Sequence, residues 1–415
     1  MSYAVEMQDV ERSRWREILL PSVAMMLGWG LRGFIGGGPF GAMIPGAMVA
    51  LCLCLVHQRS GVARTAAFGA LGVGIGGEMT YGQTVGFIVR PETFFWGLTG
   101  LTLKGAVWGA LGGAILALSF VPRLTLTLVA SSGMVMAVAC YAGWKWINEP
   151  KLIYFSNRFD HPRTEIWAGF LLASVALLVW LRWQGAGQIP LQFALSGAVG
   201  GGIGFGAGGA IQGLGRIFLP SVQTDWWKYM EFTFGFCFGL ALAFAARRLP
   251  LETASEPEQP GPSCLLQVLG AAALTAFAFW WEATVAVRFS YLLLACLLLC
   301  VAYWSRWAAW HIAITVTVTA FALDSAKYFS VRFGGGQPSI TAYGVAVAGS
   351  FIFAALFTRG TKSAQMAFLW LLWSAVGVAS LKHAMHPKGV SEVFSQVNVL
   401  FLLMAVACTA MTRLR

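Results

Sequence analysis

Apolar windows of about 18 residues or more recur along almost the whole chain, the length a helix needs to cross roughly 30 Å of hydrocarbon. The alternating pattern of outer-membrane barrel strands is absent, so the spans read as helical. Only 11% of the 415 residues are charged and 58% are hydrophobic, against about 25% charged in a soluble domain. The expected fold is an all-α polytopic integral membrane protein with about fourteen transmembrane helices.

The net charge of +11 would suit nucleic acid if it formed one basic face, but Lys and Arg stand singly or in pairs at span ends. With the N-terminus inside, Arg59, Arg64, Arg123, Arg182, Arg247, Arg248, Arg306, Arg359, Lys362, Arg413 and Arg415 fall at cytoplasmic ends. Both termini are therefore expected to be cytoplasmic, in a bacterial inner membrane. Lys151, Arg158 and Arg163 sit in the longest opposite loop, mixed with Glu149, Asp160 and Glu165. The eight Cys lack zinc-like spacing and read as small core residues, with no metal, cofactor or disulfide implied.

The stretch Gly69 to Gln83, GALGVGIGGEMTYGQ, recurs 128 positions on as Gly197 to Ile211, GAVGGGIGFGAGGAI. Trp96, Gly105 and Gly109 likewise align with Trp226, Gly235 and Gly239. These matches divide the chain into a leader (1–17), a first four-helix membrane repeat (18–124), a second (125–248), a proline-rich acidic linker (249–263) and a C-terminal six-helix region (264–415). Corresponding spans enter from the same side, so the repeat is parallel. The plan resembles that of secondary transporters with parallel repeats, although four-span units do not match the six-plus-six arrangement of the major facilitator group.

Charges inside spans mark candidate sites, because a charge at the membrane centre costs at least about 2.5–3.5 kcal/mol. Glu78 and Lys104 lie at similar depth in consecutive spans, and an ion pair between them is the simplest arrangement. The second copy has Gly206 and Phe234 in their places. Lys228 and Glu231 share a helical face, Lys228 reading as a snorkelling interfacial residue and Glu231 as deeper. Asp324 and Lys327 repeat that spacing with the signs reversed. Arg32, in GWGLRGFIGGGPFGAMIPG, sits either at a broken helix lining a cavity or at an ordinary outer loop. Gln83 and Gln212 are uncharged polar residues within the glycine-rich spans.

These residues point to a transporter or permease for a small polar or anionic solute. Glu78 would be its proton or cation carboxylate, and Arg32, Gln83, Lys104, Gln212, Glu231, Asp324 and Lys327 would line the pathway. Two other readings remain. One is a membrane-embedded transferase acting on a lipid-linked or envelope substrate through loop 149–165 and His383/His386, which otherwise read as solvated loop histidines. The other is a noncatalytic scaffold in a larger membrane complex. Glycine-lined surfaces fit internal packing and homo-oligomerisation equally well. The expected partners are a solute and membrane lipids, not nucleic acid.

Overall fold

The computed structural model describes residues 2–156, 163–249, 263–333, 340–360, 363–385 and 394–414, and among these there is no strand. Ten of the described helices are long and apolar enough to cross a membrane, and three further apolar helices are shorter. The architecture is an all-helical, multi-pass bundle. The linker 250–262 and His386 lie outside the described residues.

Residues of the leader run without interruption into the first helix, α1 (Ser2–Ile35). A two-residue turn separates it from α2 (Gly38–Val56), and Gly37 and Gly38 there hold φ of +59° and +52°. Those left-handed values favour glycine, which explains why three glycines in succession mark the turn. We call the end of the bundle that contains this turn distal, and the opposite end proximal.

The third passage is not one helix. It runs as α3 (Val62–Ile75), a single 3-10 turn (Gly76–Glu78), an extended residue Met79 and then α4 (Gly82–Ile88). The break has a steric cause. The indole of Trp108 lies flush against Gly76, and a Cβ on Gly77 would stand 2.5 Å from the Gly38 carbonyl oxygen. The turn after α1 and the break after α3 therefore press on each other. The stretch similar to it in sequence, Gly197 to Ile211, stays continuous within α8 (Gln188–Phe218).

Before α8 come α5 (Phe94–Leu118), α6 (Leu126–Gly143, continued by a π-helical turn to Asn148) and α7 (Trp167–Trp183). After it come α9 (Trp226–Ala246), α10 (Cys264–Thr284) and α11 (Ser290–Trp304). The chain ends with α12 (Arg306–Trp310), a π-helical turn at His311–Val316, α13 (Thr317–Phe333), α14 (Ile340–Gly360), α15 (Ala364–Ala384) and α16 (Gln396–Arg413).

Glycine stripes set the packing. On α5, Gly105 and Gly109 meet Gly201 and Gly197 of α8, so close that a Cβ on any of the four would penetrate the opposing carbonyl. Another face of α8, through Gly200, Gly204 and Gly208, receives Cys237, Phe234 and Met230 of α9. Gly72 of α3 meets Ile115 of α5, and Gly235 and Gly239 of α9 meet Met25 and Pro21 of α1. Lipid tails are as apolar as leucine, so van der Waals contact between small residues drives such association. The other side of α8 presents Leu195, Val199 and Ile203, each more than half exposed, as a bilayer-facing stripe.

Replacing Gly109 by Ala should lower stability by about 3 kcal/mol, because the obstructing atom is backbone and the helices must separate. At Gly344 an added Cβ would meet nothing within 4 Å, so Gly344→Ala should change stability by less than about 0.5 kcal/mol. Thermal unfolding of the two purified variants checks this contrast.

Candidate functional site

The two backbone breaks deliver their side chains to one buried cluster in the distal half of the bundle. Arg32, in the last turn of α1, is only 5% exposed. Its Nη1 donates to the Tyr81 hydroxyl at 2.9 Å and its Nη2 to the Gly38 carbonyl at 3.4 Å. Tyr81, in the gap between α3 and α4, donates in turn to Glu231 Oε1 at 3.1 Å. Trp227 Nε1 donates to the same oxygen at 3.0 Å, while Lys228 Nζ pairs with Oε2 at 2.5 Å and also donates to the Gly30 carbonyl at 2.9 Å. The carboxylate of Glu231 is wholly buried.

An aromatic cage encloses the guanidinium. Its carbon lies 5.5, 5.5 and 5.3 Å from the ring centroids of Trp29, Tyr81 and Trp108. Phe205 and Phe234 close the cage from behind, stacked on each other at 3.8 Å. Ring faces attract a cation, so they supply part of the counter-charge. Among the described residues no carboxylate forms an ion pair with Arg32, and its Nε is buried without a hydrogen-bond partner.

Gln212 adds a second unmet demand. It is fully buried, and neither its amide nitrogen nor its oxygen has a partner. It stands seven residues beyond Phe205 on α8, hence almost on the same helical face. Gly208 meets Met230 and Gly215 meets Trp226 across the α8–α9 contact, which sets Gln212 near the level of Trp227. On the side of α1, Gly33 is exposed, and a Cβ there would lie 2.9 Å from Glu231 Oε1. A side chain at position 33 would therefore crowd the carboxylate.

The other expected site residues divide among separate contacts. Lys104 does not pair with Glu78. Its Nζ binds Glu165 Oε1 at 2.6 Å, the Thr80 carbonyl at 2.6 Å and Thr84 Oγ1 at 2.7 Å, using all three ammonium donors. Glu165 also accepts from the Phe155 amide and the Ser156 hydroxyl, so the described ends of loop 149–166 are drawn into the bundle. Gln83 holds that loop too, accepting from the Arg163 amide at 3.3 Å. Glu78 instead caps α11: its two oxygens accept from the amides of Tyr291 at 2.9 Å and Leu292 at 3.3 Å, and Arg288 donates to its carbonyl at 2.6 Å. A carboxylate at a helix N-terminus satisfies orphan amides and complements the dipole.

Asp324 and Lys327 do not pair with each other. Asp324 binds Lys382 of α15 at 2.6 Å, and Lys382 also reaches the Phe34 carbonyl at 3.1 Å; Lys327 is exposed. Lys228 is not a snorkelling residue but 7% exposed and ion-paired. His383 is not a solvated loop histidine either, for it is buried and stacks on Phe34 with centroids 4.3 Å apart. Sequence reasoning missed Tyr81, Trp227 and the cage. The signal for Tyr81 was its place three residues after Glu78 in the recurring stretch, and for Trp29 its place beside Arg32 in GWGLRG.

Removing one partner of the Lys104–Glu165 pair leaves an uncompensated buried charge, so Glu165→Gln should cost about 3–5 kcal/mol. The double variant Lys104→Met/Glu165→Gln should recover part of that loss. A double-mutant cycle on thermal stability measures the coupling, and additive losses would mean that the pair contributes nothing as a pair.

Comparison with protein-family models, with curated proteins and with solved structures finds no match to this chain.

Proposed function

We propose that the protein is a transporter or permease for a small anionic or polar solute, with Arg32, Tyr81, Lys228 and Glu231 as its binding centre. The observation that supports this most is the charge excess of the cluster. Arg32 and Lys228 are two buried cations, and Glu231 is the one carboxylate that serves them. An anion beside Arg32 would balance the remaining positive charge and accept from its unpartnered Nε, and a polar group of the same solute would satisfy Gln212.

Two chain breaks meeting at this cluster fit the same reading, because irregular backbone at membrane depth is tolerated where it is protein-buried or lines a cavity. Glu231 then serves as the counter-charge that Lys228 contacts directly and Arg32 reaches through Tyr81. Glu165 and His383, on which a transferase reading would draw, are engaged in internal contacts. The four-span parallel repeat, a bacterial inner membrane and cytoplasmic termini complete the proposal.

The test is thermal stability of detergent-purified protein against chloride, sulfate, phosphate, acetate and small dicarboxylates at two pH values, followed by uptake of the stabilising anion into proteoliposomes. Ligand at about 100 times its Kd stabilises by about 2.7 kcal/mol. Arg32→Gln should abolish the anion-dependent shift. Gly33→Leu should obstruct uptake. Glu78→Gln should lower stability by about 1 kcal/mol through the α11 cap yet leave uptake per folded molecule intact. Full uptake by Arg32→Gln would sink the assignment.

A further inference from the structure

The proximal end of the bundle holds a polar cavity, remote from Arg32. Its volume is about 760 Å³, and it lies among the loop after α5, the turn between α7 and α8, and the end of α9. That size is ordinary for a small-molecule site. Arg123, Gln184, Gln188, Ile189, Gln192 and Arg248 contribute to its lining, and no Asp or Glu does. The cavity thus carries two cations and no opposing charge.

Two features of the backbone reinforce this. Arg123 holds φ of +55°, a left-handed conformation that costs a non-glycine residue roughly 1–2 kcal/mol. An arginine stands where glycine would be relaxed, and the turn points it at the cavity. In addition, α8 begins here. Its N-cap is Gly187, no side chain caps it, and its first two residues, Gln188 and Ile189, line the cavity. The positive end of a 31-residue helix therefore faces the same space as the two guanidinium groups.

We propose that this cavity binds the phosphate of an anionic phospholipid, with Arg123 and Arg248 pairing to its oxygens and the start of α8 supplying amide donors. Arginine forks match phosphate geometry. A free phosphate compound offers the same chemistry. The lipid is the source argued for because Leu126, Trp183 and Leu191, which open α6, close α7 and end the first turn of α8, are 41%, 80% and 41% exposed. These flanking residues provide an apolar track for acyl chains leading from a polar, basic head-group pocket.

The experiment titrates the full-length protein in neutral detergent with phosphatidylglycerol, phosphatidylcholine or inorganic phosphate. It reads thermal stability together with lipid adducts in native mass spectrometry. Phosphatidylglycerol should stabilise the wild type and form a retained adduct, and phosphatidylcholine should do neither. Arg123→Gln/Arg248→Gln, which changes only exposed side chains, should raise the half-saturating phosphatidylglycerol concentration about tenfold or more. The exposed Arg413→Gln should leave it unchanged. Stabilisation by inorganic phosphate at the same concentration would assign the cavity to a free phosphate compound and overturn the lipid source. An equal response in the double variant, or no response of the wild type to either ligand, would overturn the site.

Discussion

Helices α5 and α8 touch backbone to backbone at Gly105 with Gly201 and Gly109 with Gly197, and the bundle is arranged about that seam. No side chain intervenes, so each helix keeps other faces free for further close contacts. Helix α3 docks on α5 through Gly72, α9 docks on α8 through Gly200, Gly204 and Gly208, and α1 docks on α9 through Gly235 and Gly239. Such close approach brings Arg32, Tyr81 and Glu231 from three separate passages within hydrogen-bond reach. Where hydrocarbon offers no hydrophobic drive, contact at this range is the main source of cohesion.

Cohesion of this kind leaves no water to solvate charges, and each buried charge has found a partner of a different kind. Lys104 is fully saturated by oxygen acceptors, one of them Glu165 on the loop before α7. Glu78 is stabilised by a helix terminus, with Arg288 bound to its carbonyl. Both arrangements hold passages of the chain together. The Arg32 cluster differs in that two cations share one carboxylate and the wholly buried Gln212 has no partner for its amide. Burial without satisfaction is destabilising, so an unpartnered amide beside two cations on one carboxylate sets this cluster apart from the structural ion pairs.

How far the sequence could be read follows from the range of each interaction. Helical character and the list of depth-defying charges depend on composition within a window, and Arg32, Glu78, Lys104 and Glu231 were all visible as anomalies in apolar runs. Their partners were not. Glu78 and Lys104 looked paired because they lie at similar depth in consecutive spans, yet rotation about the helix axis decides which neighbour a side chain meets. Glu165 was hidden because a loop residue carries no sign that its loop will be pulled inward. Tyr81 and Trp227 were hidden because aromatic residues near span ends ordinarily mark the interface.

The sequence by itself determined that this is an all-helical membrane protein, which residues are too polar for the bilayer, and where the helices are lined with glycine, since all three depend on local composition and spacing. The tertiary structure alone decided that Glu78 caps a helix, that Lys104 closes a loop, and that Arg32 and Glu231 meet through Tyr81. Those outcomes depend on how far each helix is turned and how closely it approaches its neighbours. That geometry is set by carbonyl-to-glycine contacts between segments as far apart in sequence as Pro21 and Gly239, and no local pattern encodes it.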